Sequence, residues 1–236
     1  MTYLTDEDRW SAIERRDRAA EGAFFCAVKT TGVYCLPSCQ GRPLRRNVTF
    51  HDTADGARAA GYRACKLCKP DVPREHLRYA TTRTDLGAAL VAVSDRGVRL
   101  ITLGDEPEAL VADLERRFPR ARLTPHGLED TLAEVCRLIA TPGQTALPLD
   151  EQGTELQAAV WRALREIPAG RTASYAEVAR AIGRPSAVRA VAQACGANPL
   201  AVVTPCHRVV RSDGGLSGYR WGVERKRALL EREAAA

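Results

Sequence analysis

The sequence predicts an α/β (α+β) chain of several domains. A small cysteine-rich N-terminal domain comes first, then a small β-sheet-plus-helices domain, then a mostly helical domain with a helix-turn-helix. Three observations predict this. Four of the eight cysteines fall in two close pairs, Cys35 with Cys39 and Cys65 with Cys68. Two apolar-rich runs, Leu86 to Val93 and Gly97 to Leu103, flank a turn at Asp95 to Gly97, the pattern of a β-hairpin. After residue 151 come three short apolar stripes at helical spacing, each opened by a capping residue and closed by Gly or Pro.

Composition narrows the class. At 236 residues the chain is long enough for two to three small domains, and 45% hydrophobic with 27% charged residues excludes wholesale disorder. The longest apolar stretches, such as Leu200 to Val203, are too short to span a bilayer. Asp6, Glu7, Asp8 and Arg9 stand where a leader would be basic and then apolar, so a cytoplasmic protein with no membrane partner is expected. The net charge of +6 is unevenly spread. Residues 26–71 hold 8 Lys/Arg against 3 Asp/Glu and residues 151–236 hold 13 against 8, whereas 80–150 reverse to 8 against 11. Two basic segments flanking an acidic one point to two surfaces that meet a polyanion.

In chain order, the first domain is expected at 1–71, followed by a Pro-containing charged linker at 72–80. The second, 81–148, contains the hairpin and two helical stripes, Leu110, Leu114 and Phe118, then Leu128, Leu132, Val135, Leu138 and Ile139. The third is 149–236. Thr154 and Gln157 make a capping box before Val160, Leu164 and Ile167, and Ser174 and Glu177 make another before Tyr175, Val178, Ala179 and Ile182. Ser186 is expected to cap a third helix carrying Val188, Val191, Ala192 and Cys195. The last two helices and their Gly-containing turn form either a plain helical hairpin or a DNA-binding helix-turn-helix. The third helix, built of Ala187, Ala190, Ala194 and Gly196 around Arg189, is slim enough to approach a groove closely.

Chemistry concentrates at two places. Cys35-x3-Cys39 and, 26 positions later, Cys65-x2-Cys68 supply four thiolates that can close a tetrahedron around one Zn2+. Most such sites only hold a small domain together. A redox pair leaves the first two cysteines unexplained, and Lys69 stands where haem attachment needs histidine. A four-thiolate zinc site carries a formal charge of about −2 and keeps nucleophilic sulfur ready, so it can also accept an alkyl group. Alkylation of one ligand would lower that charge to about −1 and weaken repulsion from a DNA backbone. The second place is VTPCHRVV, Val203 to Val210. An isolated Cys-His dipeptide is ordinarily a buried Cys beside a surface His, and adjacent side chains in an extended chain face opposite ways.

The N-terminal run FFCAVKTTGVYCLPSC, with NVTF at 47–50 and AAGYRACKLCKPD at 59–71, resembles the zinc domain of bacterial Ada-type proteins. That resemblance implies that Cys35 takes a methyl group from a backbone methylphosphotriester while Cys35, Cys39, Cys65 and Cys68 hold the zinc. It places Thr31, Arg42 and Arg63 at backbone-contacting positions. The stretch from Leu147 to Glu233 resembles the C-terminal domain of O6-alkylguanine-DNA alkyltransferases, through TASYAEVARAIG, SAVRAVAQACGAN, VTPCHRVV and GYRWG, and residues 81–148 match their smaller domain more loosely. This second likeness implies that Cys206 is the nucleophile that irreversibly takes the alkyl group from O6 of guanine, and from O4 of alkylthymine. It implies that His207 is its base through a water, that Glu233 polarises His207, and that this chain lowers the thiol pKa. By the same likeness Asn198 forms the turn ahead of the site. Tyr175 would steady the leaving base, Tyr219 would wall the pocket, Val209 would contact the base, and Arg189 would fill the stack behind a flipped nucleotide.

Thr204 departs from the branched apolar residue usual before the proline, with a small effect on packing expected. Ada-type proteins carry a further transcription-factor helix-turn-helix between the halves, and the roughly ten residues available here cannot hold two helices. Expected partners are double-stranded DNA bearing alkylated guanine or methylphosphotriesters, bound by a monomer associated with the nucleoid. The alternative is a single guanine-repair activity with the zinc domain as a DNA-binding or methylation-sensing module. Cys26, Cys136 and Cys195 are expected to pack as small apolar residues.

Overall fold

The computed structural model describes residues 3–72, 74–141, 143–216 and 218–235, which form two units, 1–73 and 74–236. In the first, Thr5 and Asp8 make a capping box that opens α1 (Asp6–Arg15). Strands β1 (Phe25–Val28) and β2 (Val33–Cys35) form an antiparallel hairpin, and β3 (Val48–His51) pairs with the other edge of β1. After α2 (Ala54–Ala59), capped by Thr53, β4 (Arg63–Ala64) adds in parallel to β2. The sheet order is β3-β1-β2-β4. A unit this small buries little apolar surface, and its core of Ala12, Ile13, Phe24 and Val28 runs directly into the cysteines. Phe24 stacks edge-on against Phe50 at 5.6 Å.

The second unit opens with β5 (His76–Thr84), β6 (Gly87–Ser94) and β7 (Gly97–Gly104), an antiparallel meander. Strand β5 begins inside the stretch expected as a linker at 72–80; Pro73 of that stretch lies outside the described residues. Its charged positions His76, Arg78 and Arg83 disguised a strand whose Leu77 is fully buried. Helix α3 (Pro107–Arg117) follows, then β8 (Arg122–Pro125), a strand with no sequence signal of its own that pairs in parallel with β5. Successive residues of β6 alternate between two cores: Ala88, Leu90 and Ala92 face α3, while Ala89 and Val91 face the helices that come after. Burial on both faces is why this strand reads as a continuous apolar run.

Helix α4 (Glu129–Ala140) leads to the C-terminal helices α5 (Glu155–Arg165), α6 (Tyr175–Ala181) and α7 (Val188–Gly196). Both expected capping boxes form, Thr154 with Gln157 and Ser174 with Glu177. Ser186 does not cap α7: the N-cap is Ala187, without a side-chain bond. A two-residue parallel ladder joins β9 (Ala173–Ser174) to β10 (Val209–Val210), and α8 (Val223–Ala235) follows. Residues on both sides of 148/149 share one core, in which Leu86, Val91 and Val135 pack with Trp161, Leu200 and Cys206. The free edge of β7 is covered by the loop before Cys206, where Ile101 N–H donates to Pro199 O at 2.9 Å and Ala201 N–H to Ile101 O at 3.1 Å. The sheet thereby becomes the floor of the second site. No helix among the described residues is long and apolar enough to cross a membrane.

Placement of Leu77 in a strand has a measurable consequence. Leu77→Ala is expected to destabilise the chain by about 2–5 kcal/mol in urea unfolding, as deletion of a fully buried leucine does. A cost near zero would restore the linker reading of 72–80.

Candidate functional site

In the first unit the short hairpin and the parallel addition of β4 bring the two cysteine pairs together. The Sγ atoms of Cys35, Cys39, Cys65 and Cys68 all lie within 4.8 Å of one another. Tetrahedral zinc with Zn–S bonds of about 2.3 Å sets its sulfurs about 3.8 Å apart, so the donor set and its spacing fit the ion. The electrostatics agree, because four packed thiols cannot ionise independently. Contact with Cys26, then with Cys39 and Cys68, pushes the Cys35 thiol up, while hydrogen bonds from Cys35 and Cys68 pull Cys39 down. The unit therefore holds one Zn2+ in a four-cysteine site. Leu36 N–H and Gly41 N–H donate to the sulfurs of Cys68 and Cys39, each at 3.5 Å, which stabilises those thiolates and tempers their nucleophilicity.

Cys35 and Cys39 border a cavity of about 360 Å3, lined in part by Thr31, Arg42, Leu44 and Leu67. Thr31 and Arg42 are exposed there. Arg63 is exposed on β4 opposite Val33, outside the cavity. Cys26, expected to be a plain apolar residue, is the cross-strand neighbour of Cys35 and lines the same cavity. No metal-binding spacing in the sequence includes it, which is why only the sheet register reveals it.

In the second unit Cys206 begins a single 3-10 turn, Cys206–Arg208, buried beneath the loop from Asn198. Asn198 is fully buried and organises that loop. Its Oδ1 accepts from Leu200 N–H at 2.9 Å, and its Nδ2 donates to Thr204 O at 2.7 Å and to Cys206 Sγ at 3.2 Å. Val202, a β-branched residue, sits in the left-handed region at φ 68°, a strained conformation imposed by this tight path. The hydroxyl of Thr204, fully buried, donates to Glu151 at 2.7 Å and accepts from Arg165 at 3.0 Å. It is engaged in polar bonding and does not replace an apolar contact.

Glu233, on α8, accepts from His207 Nε2 at 2.8 Å and from Arg208 through Nε at 3.0 Å and Nη2 at 2.8 Å. Burial alone would raise the Glu233 carboxyl, but the bonds from His207 and Arg208 outweigh it and hold the pKa at about 2. Burial lowers the His207 pKa against the pull of Glu233, leaving a neutral ring. With Nε2–H committed to Glu233, the Nδ1 lone pair is the basic position, and it has no protein partner among the described residues. The expected lowering of the Cys206 pKa is not found in this resting arrangement. Burial pushes the thiol up to about 11, with only partial relief from the Asn198 amide and the Lys226 charge. Sulfur here is a thiol that needs a base at the moment it reacts.

Around this centre, Tyr219 stacks edge-on against Trp221 at 5.1 Å and lies 6.5 Å from the His207 ring. Burial, then the nearby Cys206, pushes its phenol well above the usual value. Tyr175 opens α6 next to the β9–β10 ladder and packs against the core containing Cys206. Arg189 is exposed on α7, on the face shared with Ala192, Gln193 and Gly196, a slim surface presenting one cation. Val209 is fully buried and its carbonyl accepts from Lys226 Nζ at 2.5 Å. Sequence reasoning passed over Arg208 and Lys226. Arg208 had a signal in its place beside His207, whereas Lys226 had none among the charges of its helix.

A family model described as the metal binding domain of Ada matches residues 8–71, and one described as the DNA binding domain of 6-O-methylguanine DNA methyltransferase matches residues 155–235. The bifunctional transcriptional activator/DNA repair enzyme Ada of Escherichia coli is 36% identical over 346 aligned positions, covering 99% of this chain and 98% of that protein. The inducible methylated-DNA–protein-cysteine methyltransferase of Bacillus subtilis is 39% identical over 150 residues, covering 62% of this chain and 84% of its own. Among solved structures, Mycobacterium tuberculosis OGT in complex with DNA superposes with a TM-score of 0.57 at 34% identity, covering 68% of this chain and 93% of that one.

The buried His207–Glu233–Arg208 cluster fixes the acid response. Glu233 moves from an ordinary value of 4.5 to about 2, so its contribution is present above pH 4.5 and is lost as pH falls toward 2. His207, depressed on folding, acts in the same direction below its ordinary 6.5, because only the unfolded chain then binds the proton. Urea unfolding of the full chain is expected to lose on the order of 3 kcal/mol through Glu233 between about pH 5 and 2. Glu233→Gln is expected to be less stable at pH 7 with that limb flattened, and a flat wild-type profile would contradict the assignment.

Proposed function

The chain belongs to the Ada family of methylated-DNA–protein-cysteine methyltransferases, and from that premise we propose that each of its two cysteine centres removes a different alkyl lesion. It is a DNA-binding protein that repairs by direct reversal. The observation that carries the reading for the second centre is a buried thiol at the head of a turn, with a neutral imidazole oriented by a carboxylate behind it. That arrangement suits a single nucleophilic displacement at carbon.

In this reading the alkylated guanine leaves the duplex, α7 enters the minor groove, and Arg189 occupies the space behind the base. His207 Nδ1 takes the Cys206 proton through a bridging water, and Glu233 stabilises the charge gained. The sulfur lone pair forms an S–C bond to the alkyl carbon. The O6–C bond breaks with its electron pair going to the base, whose developing charge is steadied by a hydrogen bond from the Tyr175 hydroxyl and neutralised by the proton that His207 returns through water. Tyr219 walls the pocket. Displacement from O4 of alkylthymine follows the same course. The product is a thioether with no leaving group at neutral pH, so each molecule acts once.

At the first centre, bound zinc keeps its sulfur ligands deprotonated at neutral pH. Cys35 borders the cavity lined by Thr31 and Arg42, which supports its role as acceptor of a methyl group from a methylphosphotriester. Arg42 and Thr31 then meet the phosphate, and Arg63 meets the backbone from the neighbouring strand. Methylated Cys35 carries one negative charge fewer, which strengthens binding to DNA.

The organisation that fits is a zinc domain at 1–71, a short junction ending before His76, and an alkyltransferase with an N-terminal subdomain to 148 and a catalytic part from 149. Only a few residues separate the zinc domain at 1–71 from the strand that begins at His76, too few for the intervening transcription-factor helices. The protein acts as a monomer in the cytoplasm, at the nucleoid when bound to DNA.

Peptide mass spectrometry of the zinc-loaded chain after incubation with methylnitrosourea-treated duplex tests this. One methyl on Cys206 and one on Cys35 are expected, however large the excess of DNA. Cys206→Ala should abolish the first and Cys35→Ala only the second. Methyl on Cys206 alone would reduce the zinc domain to a binding or sensing module, and methyl on neither would overturn the function.

A further inference from the structure

We infer that Glu151, Arg165 and Thr204 form a polar clamp, half-buried at Glu151 and Arg165 and fully buried at Thr204, that positions Cys206 for alkyl transfer. The inference rests on Cys206 being the acceptor. Glu151 stands just before α5 and Arg165 is its last residue, so the two bracket the helix. One nitrogen of Arg165, Nη1, lies 2.7 Å from each carboxylate oxygen of Glu151. Into this pair reaches the hydroxyl of Thr204, donating to Glu151 Oε1 at 2.7 Å and accepting from Arg165 Nη1 at 3.0 Å.

Thr204 uses every hydrogen-bonding group it has. Its N–H donates to Leu200 O at 3.0 Å, and its carbonyl accepts from Asn198 Nδ2 at 2.7 Å and from Cys206 N–H at 2.8 Å. The same Asn198 amide donates to Cys206 Sγ. Thr204 therefore stands between α5 on one side and the nucleophile with its amide donor on the other. A shift of Thr204 away from α5 moves its carbonyl, the Asn198 amide and the sulfur together. Val202, two residues before, is held at φ 68°, a conformation a β-branched residue adopts only when its surroundings impose it, so the loop depends on its tethers. Glu151 and Arg165 neutralise each other, so they act on Cys206 through position and not through field. They are positioning residues.

The test compares Thr204→Val and Thr204→Ser in the zinc-loaded full chain. Three quantities are read: the single-turnover rate constant for methyl transfer from an O6-methylguanine duplex at saturating DNA, the DNA Kd, and the pH profile of Cys206 modification by iodoacetamide without DNA. Loss of one buried hydrogen bond is worth about tenfold, so Thr204→Val should slow transfer about tenfold at unchanged Kd. Its pH profile should move upward as the Asn198 bond to sulfur loosens, and Thr204→Ser should recover most of the rate. Should Thr204→Val fail to fold, Glu151→Gln, which keeps shape and one acceptor, is expected to slow transfer in the same way. Wild-type rate and pH profile in the variants, or a rate loss that Ser does not rescue, would overturn the clamp. Wild-type protein that takes no methyl on Cys206 would instead overturn the function on which it rests.

Discussion

A single carboxylate, that of Glu233, joins the last helix to the turn that carries the nucleophile. Side chains this deep in a protein are rarely charged, because an ion withdrawn from water loses several kcal/mol of solvation unless it is fully paired. Arg208 supplies the pairing with two of its nitrogens, and the neutral ring of His207 supplies a third donor. The arrangement has a directional result. Because Glu233 takes Nε2–H, the imidazole is left with its lone pair on Nδ1, and because Arg208 has already balanced the charge, the ring has no need to be protonated. The chemistry of the centre depends on that division of labour, and so does the docking of α8 on the core.

In the proposed mechanism the two cysteine centres solve one problem in opposite ways. Sulfur must be anionic to attack carbon. In the zinc domain the anion is maintained permanently by a cation, so Cys35 can border a surface cavity without a base nearby. In the alkyltransferase the sulfur is stored as a thiol, with burial holding its pKa at about 11, and gives its proton to His207 as it reacts. A buried thiol is protected from adventitious electrophiles that cannot enter the pocket, whereas at the zinc site the N–H donors of Leu36 and Gly41 damp the sulfurs of Cys68 and Cys39.

Much of this was legible in the sequence because it is local. The capping boxes at Thr154 and Ser174, the cysteine spacings and the hairpin turn at Asp95 to Gly97 are each contained in a few residues, and each forms. Features that failed or were hidden depend on partners far along the chain. Strand β5 looks like a charged linker until β6 and β8 arrive on its two sides. Ser186 has the right chemistry for a cap, but α7 starts one residue too late for its side chain to reach the helix N–H groups. The bond between Thr204 and Glu151 spans 53 residues, and the pairing of Cys26 with its cross-strand neighbour exists only in the register of a sheet. Long-range polar contacts of this kind leave no periodicity to read.

Cys206 lies in the close-packed core of its unit, among Leu200, Ala201 and Val203. A methyl group arriving there enlarges a side chain in a space already filled, and overpacking of a core typically costs about 1–3 kcal/mol. Against a total stability of about 5–15 kcal/mol for an ordinary domain, that is a sizeable fraction. On the function proposed above, a molecule methylated at Cys206 is expected to be less stable than an unmethylated one. Lower stability raises the fraction of time a molecule spends open and with it its exposure to proteases.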